Sequence, residues 1–125
     1  MSPLLLDTHT VLWSVGDTDR LSPTALDVLS AGVAPAYVSA ASVWEITIKR
    51  ASGKLKAPDD LLEQIAAARF GELGITFKHA ILAGALPPHH GDPFDRMLVA
   101  QAQSENLTLV TGDPRIAAYD VRVLW

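Results

Sequence analysis

Four acidic residues, Asp7, Glu45, Asp95 and Asp113, are the side chains of this 125-residue sequence best suited to chemistry. Carboxylate oxygens are the ligands that magnesium and manganese prefer, and these hard cations keep several waters when bound. A pocket built from such acids can hold one or two ions, activate a water and neutralise charge on a phosphodiester. Each acid also has a structural reading. Asp92 and Asp113 both precede proline, as helix N-caps do. Asp95 falls in the first turn of the helix that Asp92-Pro93 opens, where an acid favours the helix dipole. Glu45 stands four residues before Lys49, a pairing worth only ~0.3 kcal/mol. Asp7 can cap the helix that follows it. The cysteine count is zero, which excludes a thiolate zinc site, a disulfide scaffold and a thiol nucleophile. His9, His89 and His90 have no zinc-site spacing and read as surface or supporting residues, with RNA contact a lesser option for the adjacent pair.

Whether the acids converge depends on the elements that carry them. Residues 4–6 are an apolar run ending at Asp7 and read as a buried strand. Helices are expected over 8–15, from Ser22-Pro23 to 31 with a stop at Gly32, and over 41–51. Strands are expected over 36–39 and, weakly, 74–77. Pro58-Asp59-Asp60 opens a helix reaching about residue 70, and 79–85 reads as a short helix before a proline loop at 86–91. Asp92-Pro93 starts a helix to about 105, residues 107–111 form a strand, Asp113-Pro114 opens a last short helix, and 121–124 make a final strand. Alternation of this kind predicts a mostly parallel sheet covered by helices on both faces. Ligands of such folds bind beyond the carboxyl ends of the strands. Asp7 and Asp113 both follow apolar strands at that edge, where a purely structural protein has less reason to place acids.

The formal net charge is −4, which argues against a polyanionic partner. Four of the ten basic residues lie close together, however, at Lys49, Arg50, Lys54 and Lys56, and a basic rim beside a cation-filled acidic pocket suits RNA. No basic, apolar leader and no run of about 20 apolar residues is present, so a soluble cytoplasmic protein is expected.

The strings LLLDTHTVLW at 4–13, SVWEITIKRASGKL at 42–55, HHGDPFDRMLVAQA at 89–102 and LTLVTGDPRIAAYDVRVLW at 107–125 resemble, in order, those of PIN-domain ribonucleases. The likeness is strongest to VapC-like toxins of type II toxin–antitoxin modules. The resemblance implies one domain over 1–125 with a three-layer α/β/α fold, and a magnesium-dependent endoribonuclease in which manganese can substitute. Asp7 and Asp95 then match the family's metal-holding aspartates, with Glu45 and Asp113 completing the set. Thr111 matches a small hydroxyl residue of the pocket. Thr8 and Arg96 are weaker substrate-binding candidates, and Asp92 is an extra acid read first as a cap. The implied partners are RNA, a small antitoxin protein and a second copy of the chain, within a larger toxin–antitoxin assembly. Trp13, Trp44 and Trp125 read as core or dimer-interface residues in preference to base-stacking platforms. The competing reading is a catalytically silent PIN-like module that binds RNA or protein. If the four acids do converge, crowding of like charge should raise the pKa of at least one of them.

Overall fold

The computed structural model describes residues 2–125, so Met1, the first residue of the expected domain, lies outside the described residues. Among the described residues, five strands form one sheet in the order β3-β2-β1-β4-β5, and every strand pair is parallel. The strands are β1 Leu4–Leu6, β2 Ala36–Ser39, β3 Gly71–Leu73, β4 Thr108–Val110 and β5 Val123–Leu124. The helices are α1 Thr8–Gly16, α2 Pro23–Ala31, α3 Ala40–Ala51, α4 Leu61–Ala67, α5 Phe77–Ala85, α6 Pro93–Glu105 and α7 Pro114–Ala117, with a 3-10 turn at Thr18–Arg20.

Side chains alternate across the sheet, as the two-residue period of a strand requires. Leu5 and Leu109 face Leu98, Val99 and Ala102 of α6 and Ile116 of α7. Leu6 and Val38 face Val11 of α1, Ile46 of α3 and Ile65 of α4, while Leu4 and Val110 meet Ala25 of α2. The sheet is thus buried on both sides, and the three layers expected from the sequence are present. This explains why β1 reads as an unbroken leucine run instead of an alternating one.

Local signals set most boundaries. Ser22 caps α2 ahead of Pro23, and Gly32 ends it in the left-handed region at φ 64°. Asn106 ends α6 the same way, at φ 56°. One element lies elsewhere than expected. Residues 74–77 form no strand; the strand is Gly71–Leu73, paired with Tyr37, Val38 and Ser39. The physical reason is Thr76, whose hydroxyl accepts from the His79 backbone while the His79 ring accepts from the Thr76 N–H. This capping box commits the segment to α5, which therefore starts at Phe77. No helix among the described residues is long and apolar enough to cross a membrane.

The chain moves from β1 outward to β2 and β3, then returns to the other side of β1 for β4 and β5. The order therefore reverses between β1 and β4, and the crevice beyond their carboxyl ends is where such sheets bind ligands.

Candidate metal centre at the sheet's carboxyl edge

Asp7, immediately past β1, is the N-cap of α1: its Oδ1 accepts from the Thr10 N–H at 2.8 Å. Its Oδ2 accepts from the Thr111 hydroxyl at 2.5 Å, which ties the end of β1 to the end of β4. Capping and site roles are thus compatible, because a carboxylate offers more lone pairs than a cap consumes. Glu45 is buried on α3, where its Oε1 accepts from the Thr8 hydroxyl at 2.6 Å and its Oε2 pairs with Lys49. That bond holds the Lys49 ammonium above its usual pKa range. Asp113 caps α7, its carboxylate gripped by the Arg115 backbone and guanidinium at 2.9–3.2 Å. Burial pushes this carboxyl up, but the bonds from Arg115 outweigh it and leave the pKa below the ordinary value.

Asp95 stands in the first turn of α6, whose N-cap is Asp92, accepting from the backbone N–H groups of Phe94 and Asp95. α3 reaches across the end of the sheet to this turn, with Trp44 meeting Phe94 edge-on at 5.4 Å. Burial, and then the negative charges of Asp92, Glu45 and Asp7, push the Asp95 carboxyl up to about 6, with His90 opposing them. Asp7, Glu45, Asp92, Asp95 and Asp113 all line one cavity of about 450 Å³. The structure therefore brings together all four sequence-predicted acids, and the crowding expected of them is felt at Asp95.

His90 is the residue that sequence reasoning underrated. It is buried, and its Nε2 lies 2.9 Å from Asp95 Oδ2 and 3.6 Å from Asp113 Oδ2. Its Nδ1 accepts from the Asp92 N–H at 3.3 Å, so neutral His90 carries its proton on Nε2 and donates it to Asp95. The ring thus orients one oxygen of Asp95, and no protein donor to Oδ1 is found among the described residues. The sequence offered only proximity to Asp92 as a signal.

The three substrate-binding candidates fall in two groups, Thr8 and Thr111 beside the acids and Arg96 apart from them. Thr8 and Thr111 spend their hydroxyl protons on Glu45 and Asp7. Arg96 points away from the acids and is engaged elsewhere in the fold, unlike a residue free for substrate. Its guanidinium donates to the carbonyls of Ala83, Leu86, Pro87 and His90 at 2.9–3.4 Å. Tyr119 completes this clamp by accepting from the His90 N–H at 3.0 Å and donating to Pro87 O at 2.8 Å. The reason is local: the 86–91 loop has carbonyls without helix or sheet partners, and an arginine fork one turn into α6 satisfies several at once. Arg96→Ala should accordingly destabilise the fold by about 2–3 kcal/mol, because it strands those carbonyls. Urea denaturation checks this, since a residue used only for substrate contact would leave the midpoint unmoved.

The expected basic cluster divides. Lys49 serves Glu45 and Arg50 pairs with Asp59, while Lys56 opens onto a second cavity beside the first. Among the tryptophans, Trp44 is 61% exposed, Trp13 packs against the core as expected, and Trp13 and Trp125 also line the acidic cavity.

The donor set fits a hard dication. One carboxylate oxygen each from Asp95 and Asp113 lie within 4.8 Å of each other beside His90, whose Nε2–H orients Asp95, and the remaining cavity acids offer only oxygen.

The PIN domain family matches residues 4–122, and the chain belongs to that family. It is 31% identical over 122 residues to ribonuclease VapC22 of Mycobacterium tuberculosis, covering 95% of this chain and 93% of the relative. The fold is similar to a DNA-bound VapBC structure from Salmonella typhimurium, with TM-score 0.73, 19% identity and coverage of 99% and 98% of the two chains. It is equally similar to VapBC2 from Rickettsia felis bound to a promoter DNA fragment, with TM-score 0.73, 16% identity and the same coverage.

Proposed function

We propose that this chain is a VapC-like, magnesium-dependent endoribonuclease, the toxin of a type II toxin–antitoxin pair, working as one PIN domain in the cytoplasm. The observation that carries the reading is the convergence of Asp7, Glu45, Asp95 and Asp113 on one cavity at the reversal point of a parallel sheet. The ribonuclease relative supports the same reaction. Asp7 and Asp95 would hold magnesium or manganese, with Glu45 and Asp113 completing the set. A dication bound there supplies Lewis acidity, activating water and neutralising charge on the phosphodiester.

The protein's part is preorganisation. Thr111 and the Thr10 N–H fix Asp7, Thr8 and Lys49 fix Glu45, His90 fixes Asp95, and Arg115 fixes Asp113. Each acid is thereby held in one orientation before substrate arrives, so little reorganisation remains for the reaction. Lys49 and Arg115 line the cavity as cations, suited to steering an RNA phosphate toward the acids. The VapBC neighbours support a small antitoxin as partner. Phe77 and Ile81, one turn apart on α5 and both exposed, support a second copy of the chain.

Expression of the chain alone should arrest growth, and purified protein should cleave single-stranded RNA. Co-expression of a small protein encoded beside it should restore growth. Harmless expression, together with RNA binding without cleavage in magnesium, would instead favour a catalytically silent binding module.

A further inference from the structure

Part of the wall of the acidic cavity is aromatic. His9 and Trp13 stand one turn apart on α1, the helix capped by Asp7, with ring centroids 5.4 Å apart and planes within 15° of parallel. Trp125 leans against Trp13 at 5.9 Å with a 49° tilt. Gly112, next to Asp113, makes room for it: a Cβ there would lie 2.7 Å from Trp125 Cε2, closer than van der Waals contact permits. A site residue's neighbour thus lacks a side chain where this indole crosses it.

The cavity does not end at the wall. His9, Trp13 and Arg20 also line a second cavity of about 550 Å³, which continues to Lys56. The resulting groove has carboxylates at one end, the rings and Arg20 where the two cavities meet, and Lys56 beyond; Arg20 pairs through Nε with Asp17, leaving the rest of its guanidinium for a phosphate. Single-stranded RNA presents this alternation, with phosphates separated by bases whose π-faces stack on aromatic side chains whatever their sequence.

We propose that His9, Trp13 and Trp125 form a stacking subsite for a nucleobase next to the scissile phosphodiester, with Arg20 and Lys56 receiving the adjoining phosphate. The assignment rests on the ribonuclease reading above. It differs from that reading in naming where the substrate lies and which side chains set its affinity.

The test uses the full chain in magnesium, with His9→Ala, Trp125→Leu and the double variant. The first two side chains are partly or fully exposed, so their loss spares the core that Trp13 helps to cover. Thermal melts confirm that each variant folds. The probe is a pool of short single-stranded RNAs of randomised sequence. Binding is read by tryptophan fluorescence and anisotropy in an Asp95→Asn background, and KM is read in the active protein. Loss of a stacked base should weaken binding about five- to hundredfold and raise KM with it. Unchanged affinity and KM in folded variants overturn the subsite while leaving the ribonuclease reading intact. Variants that keep RNA affinity but release the antitoxin would assign the groove to a protein segment and also overturn it. A parent chain that neither binds nor cleaves the pool overturns both readings together.

Discussion

Replacing Asp95 with asparagine is expected to abolish RNA cleavage while raising the melting temperature of the metal-free protein. An amide fills the same space and can still accept from His90, but it is a poor ligand for a hard cation. Changing a residue that merely supports a metal ligand costs 10- to 100-fold in affinity or activity, so loss of the proposed ligand itself should cost about a hundredfold or more. The stability effect has the opposite sign. The folded pKa of Asp95 is raised from 3.8 to about 6 by burial and by Asp92, Glu45 and Asp7. Between those values the native state binds more protons than the unfolded chain, so metal-free stability falls as pH climbs from about 4 to about 6. Above that window the full penalty is present, about 1–2 kcal/mol after solvent screening at a partly exposed carboxyl. Asparagine removes the charge, the penalty and its pH dependence. Melts of both proteins in chelator at about pH 3.5 and about pH 7.5, which bracket the window, should diverge chiefly at the higher pH. Full cleavage by the variant, or a lower melting temperature at neutral pH, would refute the assignment of Asp95.

Magnesium should act in the reverse direction on the wild type. An ion that binds only the folded pocket stabilises by about 2.7 kcal/mol at a hundredfold excess over its dissociation constant. For a chain of this length that amounts to roughly 8–15 °C in Tm. Chelator should remove both the stabilisation and the cleavage, and manganese should restore them. The Asp95→Asn protein should gain much less from either ion. Four independent helix caps would predict almost no response, because caps are satisfied by backbone N–H groups and have no use for a cation. A wild-type Tm indifferent to millimolar magnesium would therefore defeat the clustered-carboxylate site. His90 adds a diagnostic: it donates to Asp95 and faces Asp113. His90→Leu should lower metal affinity by about 10- to 100-fold, and His90→Gln, which keeps a donor, should recover part of it. Calorimetric titration with manganese separates the two.

Much of this was legible in the sequence because its causes are local. The leucine run of β1, the Ser22-Pro23 and Asp92-Pro93 helix starts and the Gly32 stop act within a few residues, so pattern alone located them. The alternation of strands and helices determined the parallel sheet, and the sheet determined which edge carries Asp7 and Asp113. The misplaced third strand shows the limit of that logic. Residues 74–77, with Ile75, Thr76 and Phe77 in a row, have more strand character than Gly71-Glu72-Leu73. The choice between them was made by a side-chain capping box at Thr76 and by pairing with β2, a strand more than thirty residues away.

What only the tertiary structure decided is the assignment of polar side chains to partners distant in sequence. Thr111 meets Asp7 across 104 residues, and Thr8 meets Glu45 across 37, so neither could be told from a free hydroxyl beforehand. Arg96 was a substrate-binding candidate by its place after Asp95, but the fold surrounds it with loop carbonyls that its guanidinium satisfies. His90 and Trp125 became part of the site for the same reason. Spacing along the chain determines which face of its own element a residue occupies, but only the packing of elements determines what stands opposite that face.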